Sequence, residues 1–308
     1  MIKKHWIAIL ISIGILSFLL GFLGHWHWIL DILSHFRFYY FWYFITLIPV
    51  AFFFKKKIWG GVGLAFAFMV GMNLMPFYLF PYINTNTQHQ ISITAINLLS
   101  SNKEHQKVLD FIEKENTDLV LIQELNPTWF SVLEALNKNY PYHLSEPRND
   151  NFGIGLWSKT PFDTIEIKRF TAFDIPFIHA QLDSNVKSPF HFIGAHPVPP
   201  LIKGFHARNQ QFEELNQLVK TLKTPTIIMG DFNCTTYSPN FKRITNGTTL
   251  EDSRLGYGRQ PSWSANLPLR IGIDHCLISE NIVVHERKIG SNIGSDHFPV
   301  VVRLGILD

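Results

Sequence analysis

The stretch Thr226-Ile-Ile-Met-Gly-Asp-Phe-Asn233 sets an acid and an amide two positions apart behind three apolar residues. Ile227, Ile228 and Met229 read as a buried strand, and Gly230 lets the backbone turn at its end. Side chains alternate along a strand, so Asp231 and Asn233 are expected on one face with Phe232 packed behind them. A carboxylate and an amide held side by side can orient a water and hold an oxygen anion, which is hydrolytic chemistry. A Gly-Asp turn closes many strands for structural reasons alone. Here, however, other strand ends follow the same design. His196 ends Ile193-Gly-Ala-His196, Asp274 and His275 follow Ile271-Gly-Ile, and Glu124 ends Leu119-Val-Leu-Ile-Gln-Glu124. Asp296 and His297, in Gly294-Ser-Asp-His297, precede a last apolar run from Phe298 to Leu304.

In this order, with Asn97 in Ile-Asn-Leu at the head, the motifs resemble the endonuclease/exonuclease/phosphatase superfamily and its deoxyribonuclease-I-like fold, over roughly residues 90 to 308. The resemblance implies an α+β domain, a four-layer α/β/β/α sandwich of two facing mixed sheets. It also implies a metal-dependent hydrolase acting on phosphoric ester bonds, with Mg²⁺ or Mn²⁺ as cofactor. Asn97 and Glu124 would hold the metal, with Asp296 close by; hard ions of this kind prefer carboxylates, amides and water to sulfur. Asp231 would orient or deprotonate the water, and Asn233 would hold it or a phosphoryl oxygen. His297 would contact the phosphate, Asp274 would orient it and favour its charged form, and His196 is the candidate general acid toward the leaving group. His275 points opposite to Asp274 and is expected in the core. Two residues are weaker candidates for substrate contact: Asn151, which also suits a turn, and Arg208, which a solvated helix face also explains.

The elements that must position these groups follow from pattern. Ile91 to Asn97 alternates apolar and polar residues and reads as a strand delivering Asn97. Glu104 to Asn116 carries Val108, Leu109, Phe111 and Ile112 at near-helical spacing, and a second helix is expected from Pro127 to Asn139. Asn151 to Ser158 resembles the family's central strand. Helix is expected again near Ala207 to Leu222, after an apolar loop containing Val198, Leu201, Ile202 and Phe205 beside His196. Cys234 and Cys276 each directly follow a motif and read as structural, with a disulfide between them left open.

The N-terminal third differs in kind. Three apolar stretches, about 6–24, 37–54 and 58–80, approach the roughly 20 residues that cross a bilayer, so residues 1–81 read as a membrane region of three transmembrane helices. Lys3, Lys4 and Lys55-Lys56-Lys57 place the N-terminus in the cytoplasm by the positive-inside rule. Three crossings then put the catalytic domain, 91–308, outside the cytoplasm, periplasmic or extracellular, behind a short polar linker at 82–90. His25 and His27, interleaved with Trp26 and Trp28, read as interfacial anchors rather than a metal pair.

Charge is divided the same way. Residues 1–83 hold six of the 27 Lys and Arg but one of the 24 acids, so the +3 net charge belongs to the membrane region and the rest is near neutral. A sequence-independent nucleic-acid binder usually carries a basic surplus, which lowers the expectation of DNA as substrate. The leading expectation is therefore a membrane-anchored phosphoesterase, with a membrane lipid phosphoester as one candidate substrate and an extracytoplasmic nuclease as the alternative. A third reading makes the hydrolase domain a non-catalytic remnant beneath a membrane sensor or assembly module. The oligomeric state stays open.

Overall fold

The computed structural model describes residues 2–79, 87, 89–182 and 189–307. Most of the expected linker, residues 82–86 and 88, lies outside the described residues, and its last two positions already belong to a strand. The apolar runs of the N-terminal third form α1 (Ile2–Leu20), α3 (Arg37–Phe53) and α4 (Lys57–Leu74). Two segments, His5–Leu23 and Lys57–Phe77, are long and apolar enough to cross a bilayer. The middle stretch is different. A seven-residue helix, α2 (Trp28–Ser34), precedes α3 and meets it at a 62° bend, so that α2 and α3 together make a third span only if the bent pair is counted as one. Apolar pattern alone leaves residues 24 to 36 as a plain connection, because one acid and scattered histidines mask so short a helix. His27 caps it, its Nδ1 accepting the Ile29 N–H at 3.2 Å.

The remainder alternates strands and helices: β1 (His89–Asn97), α5 (His105–Glu115), β2 (Leu119–Gln123), α6 (Pro127–Leu133), β3 (Tyr142–Glu146), β4 (Ile154–Ser158), β5 (Thr164–Arg169), β6 (Pro176–Leu182) and β7 (Phe190–Ala195). There follow α7 (Gly204–Thr221), β8 (Thr226–Asp231), α8 (Lys242–Thr245), β9 (Glu251–Asp252), β10 (Asp274–Ile278), β11 (Ile282–Ile289) and β12 (Val300–Ile306). They build two six-stranded sheets, ordered β11-β12-β1-β2-β4-β3 and β5-β6-β7-β8-β10-β9. Each is mixed: β1 and β2 run parallel in the first, β7 and β8 in the second, and the other neighbours are antiparallel. Parallel strands need a crossover, and α5 and α7 supply it.

Three buried clusters explain the layering. Ile93, Leu121 and Val302 meet Phe192, Ile227 and Cys276 between the sheets. Val120, Ile122 and Val301 pack outward on α5 and α6, and Ile193, Ile228, Phe232 and Cys234 pack outward on α7 and α8. Because the side chains of a strand alternate, both faces of each sheet are apolar, which makes four layers. Cys276 and Cys234 lie on opposite faces of the second sheet, and both are free thiols. Burial pushes each up to about 12, which leaves them inert.

The strand pairings matter for the site. Asn97 aligns with Gln123 across β1 and β2, and Asp231 faces Asp274 across β8 and β10. The C-terminal ends of β1, β2, β7 and β8 and the start of β10 therefore deliver their polar residues to one edge of the sandwich.

The helical region joins that same edge. Asp31 of α2 is fully buried; its Oδ2 accepts from Arg208 Nη2 at 2.9 Å, and its Oδ1 from Ser238 Oγ and from Asn240 Nδ2 at 3.1 Å. His35 Nδ1 and Thr235 Oγ1 are 2.9 Å apart, Arg259 Nη2 donates to Tyr39 Oη at 2.8 Å, and the Gly256 N–H donates to the Pro76 carbonyl at 3.1 Å. Residues 24 to 39 and 76 to 77 thus sit on the two-sheet domain, while Lys55 to Lys57 occupy the far turn between α3 and α4.

Candidate active site

Asp231 is the last residue of β8 and is 1% exposed. Gly230 before it adopts φ +146°, and a Cβ there would lie 2.1 Å from the Ala195 carbonyl oxygen, so only glycine lets β7 and β8 close at this point. Gln123 clamps the same two strands from the facing sheet: its Nε2 donates to the Ala195 carbonyl at 3.0 Å, and its Oε1 accepts the Asp231 N–H at 3.1 Å. Gln123 is no candidate on sequence grounds. Its one signal was an amide inside an apolar run, and a buried amide must find partners.

Asn233 reaches the cleft by a different route from the one its spacing implied. The strand ends at Asp231, and Asn233 takes a left-handed conformation, φ +50°, rather than continuing the alternation. Its N–H donates to Asp231 Oδ1 at 2.8 Å and its Nδ2 to the Pro197 carbonyl at 3.0 Å. Phe232 still packs behind, in the α7 side of the core. Glu124 is left-handed as well, φ +56°, and its Oε2 accepts the Ser100 N–H at 3.0 Å. Such backbone costs a non-glycine residue about 1–3 kcal/mol and concentrates at functional sites.

The titratable groups converge on Asp231 Oδ2. His196 Nε2 and His297 Nε2 each lie 3.5 Å from it, and Asn97 Nδ2 donates to it at 3.3 Å. Asp274 Oδ2 takes the other side of His297, accepting from Nδ1 at 2.9 Å. Burial opposes a charge on His297, but the carboxylates of Asp274 and Asp231 outweigh it and push its pKa up to about 10. Burial likewise works against ionised Asp231, yet the charge of His297 and the hydrogen bond from His196 hold its carboxyl below the usual range. At neutral pH the pair is therefore carboxylate and imidazolium. His275 belongs elsewhere: it is fully buried, stacked 5.2 Å from the Phe232 ring, with Nε2 2.6 Å from the Cys234 carbonyl oxygen.

A cavity of about 500 Å³ opens over these groups, lined among others by Glu124, His196, Asp231, Asn233, Asp296 and His297. Asn151 stands on its rim, left-handed at φ +66°. Arg208 is a correction. It lines no part of the cavity; its guanidinium is fully buried behind Asn233, spent on Asp31 and on Asn209 Oδ1 at 2.7 Å, and no atom is left to meet a phosphate. Val198 and Phe205 also turn into the core, and of the four apolar side chains expected beside His196 Leu201 and Ile202 are the two that stay exposed.

Three polar atoms of the residues that line the cavity have no hydrogen-bond partner among the described residues, His35 Nε2, His196 Nδ1 and Asp296 Oδ1, and all three are buried. The other oxygen of Asp296 accepts from Trp263 Nε1 at 3.0 Å, which fixes the carboxylate with its free oxygen unspent. A hard cation fits this donor chemistry: an unspent carboxylate oxygen on Asp296, the carboxylate of Glu124 and the amide oxygen of Asn97. Asp231, Asp274 and His297 also offer ligand atoms within 4.8 Å of one another. There, however, Nδ1 of His297 is already engaged by Asp274, so that trio suits proton chemistry better than metal binding.

A model of the endonuclease/exonuclease/phosphatase family matches residues 84–297. No protein of curated function matches the chain. Among solved structures, D. rerio TDP2 complexed with single strand DNA product is similar at 16% identity and a TM-score of 0.62, covering 71% of this chain and 100% of that one. An endonuclease/exonuclease/phosphatase from Bacteroides vulgatus is 19% identical at 0.60, covering 71% and 100%. The human Nocturnin catalytic domain with bound sulfate anion is 16% identical at 0.58, covering 70% and 94%. At these identities the likeness is one of fold.

Proposed function

The chain belongs to the endonuclease/exonuclease/phosphatase family, and from that premise we propose that it is a membrane-anchored, divalent-metal-dependent phosphoesterase that cleaves a phosphodiester or phosphomonoester outside the cytoplasm. The observation that carries the reading is the convergence of His196, His297 and Asn97 on one buried carboxylate oxygen of Asp231. In the proposed mechanism Asp231, kept ionised by its histidines, takes the proton of the attacking water. Asn233 fixes the rim of the Asp231 carboxylate through its N–H and stands beside the phosphoryl oxygens. His297, held charged and aimed by Asp274, offsets the negative charge that builds on the phosphoryl group. His196 supplies a proton to the departing oxygen as its bond to phosphorus breaks. Asn97, Glu124 and Asp296 would hold Mg²⁺ or Mn²⁺, whose contribution is charge neutralisation at the phosphate.

Anchoring rests on the two apolar helices and the bent pair, with the lysines at one end of the bundle and the catalytic domain at the other. A nuclease is the second reading, favoured by the likeness to a structure solved with a single-strand DNA product. The test is hydrolysis of a small phosphodiester and a small phosphomonoester by the full chain in detergent, with and without chelator. Chelator-sensitive turnover that disappears in Asp231→Ala is expected; turnover that survives both treatments would reject the role assignment. Labelling an engineered cysteine in residues 91–308 from outside intact cells tests the topology, and protection from the label would reverse it.

A further inference from the structure

The catalytic cavity is not made by the catalytic domain alone. Ile32, His35 and Phe36, at the elbow between α2 and α3, form part of its wall together with Pro199, Pro200 and Leu201. The elbow is where α3 begins, so on the reading above this wall stands at the level of the membrane interface. Apolar groups continue outward from it: Leu201 is 56% and Ile202 69% exposed, and Trp26, Leu267 and Leu269 are exposed at the same end of the helical region or in the loop that Tyr39 grips through Arg270. Apart from His297, the charge on the cavity wall is acidic. Among the described residues that line it are Glu124, Asp150, Asp231 and Asp296, and neither lysine nor arginine. A nucleic-acid strand brings a row of phosphates that needs a basic track, and this wall offers none. One phosphate, met by a cation at the polar floor, with an apolar remainder, matches both halves of the lining.

Resting on the phosphoesterase reading, the geometry points to a membrane-resident amphiphile as substrate: a lipid phosphoester whose phosphate enters the polar floor and whose hydrocarbon leaves between Phe36, Ile32 and Leu201 into the bilayer. The elbow is then a substrate-binding wall, and the anchor supplies part of the site as well as tethering it.

The experiment uses the full chain in nanodiscs of phosphatidylethanolamine and phosphatidylglycerol with Mg²⁺. Its competing substrates are the disc lipids, a small water-soluble phosphodiester and single-stranded DNA. Wild type is expected to cleave lipid, and Phe36→Ala combined with Leu201→Ser to lower the ratio of lipid to small-ester kcat/KM at least tenfold. Independently of turnover, a photoactivatable phospholipid carrying its reactive group near the head of the acyl chain should label residues 32–36 and 199–202, in wild type and in Asp231→Ala alike. Cleavage of the small diester or of DNA without lipid cleavage, or labelling confined to the outer faces of α1 and α4, overturns the lipid inference and leaves the phosphoesterase reading in place. Labelling at the elbow with no hydrolysis of any ester supports the lipid site and rejects the phosphoesterase reading.

Discussion

Two carboxylates buried on the same side of the molecule make opposite use of their surroundings. Asp31, in the helical region, has both oxygens saturated by Arg208, Ser238 and Asn240, and Arg208 is in turn enclosed by Asn209 and the rings of Phe205 and Phe212. Around Asp231 the satisfaction is incomplete: the neighbouring Asp296 keeps an unpartnered oxygen, His196 an unpartnered nitrogen, and the backbone at Glu124 and Asn233 is strained. A buried polar cluster with all partners inside the chain has nothing left for a ligand, whereas one with partners missing carries a desolvation cost that a ligand can relieve. The first cluster therefore reads as a joint and the second as a site. This contrast also counts against a non-catalytic remnant, because a domain relieved of catalysis has no physical reason to keep unspent acids together.

Exchanging each carboxylate for alanine breaks the contrast most sharply. Asp231→Ala should lower kcat on a small phosphodiester by about 10³-fold or more, in keeping with loss of a general base, while the melting temperature stays near wild type or rises. Asp31→Ala should do the reverse to stability. It strands Arg208 without a counterion, which costs about 3–5 kcal/mol, read as an earlier urea midpoint. Removing Arg208 as well should recover part of that loss, since the two residues act as one unit. Equal destabilisation by the two aspartate changes would erase the distinction.

Metal sharpens it at the next level. Saturating Mg²⁺ or Mn²⁺ at 100 times its dissociation constant should stabilise the fold by about 2.7 kcal/mol, a rise in melting temperature that a chelator reverses. Glu124→Gln or Asp296→Asn should shrink that rise, and Asn209→Ala in the joint should leave it intact. A rise unaffected by either acidic change would place the ion elsewhere.

A third, saturated carboxylate extends the comparison to pH. Asp252 is buried beside Arg254, which donates to it at 2.7 Å; burial alone would raise its pKa, but the guanidinium and His275 hold it well below the usual range. A depressed folded value means that the stabilisation is complete above the unfolded value of about 3.9 and is lost as pH falls below it. Asp252→Asn should therefore flatten the acid limb of stability against pH while the wild type declines below pH 4. The smallest effect belongs to the exposed rim: Ile202→Ser should change stability by less than about 0.5 kcal/mol.

Much of the catalytic half was legible in order along the chain. The strand ends at Asn97, Glu124, His196 and Asp231 were visible because an apolar run followed by a polar residue is a local pattern, and the structure gathers them at one edge through two parallel strand pairs. Local pattern failed where a partner lies far away in sequence. Arg208 looked like a free cation on a helix, and its partner is 177 residues distant. Gln123 carries no local signal beyond an amide in an apolar run, yet it ties the two sheets together across the active-site edge. Asn233 lines the cleft, but a left-handed turn and not strand alternation aims it.

The sequence by itself determined the division into an apolar, lysine-flanked third and a nearly neutral mixed domain, and it determined which residue types the chemistry has available, because hydropathy and strand periodicity act over a few residues at a time. Only the tertiary structure decided that Asp31 and Arg208 neutralise each other, that Cys234 and Cys276 face opposite cores, and that the α2–α3 elbow walls the catalytic cavity. Those outcomes depend on which surfaces meet after the chain has folded. No short window of residues contains that information, since burial and pairing are properties of groups brought together from opposite ends of the chain.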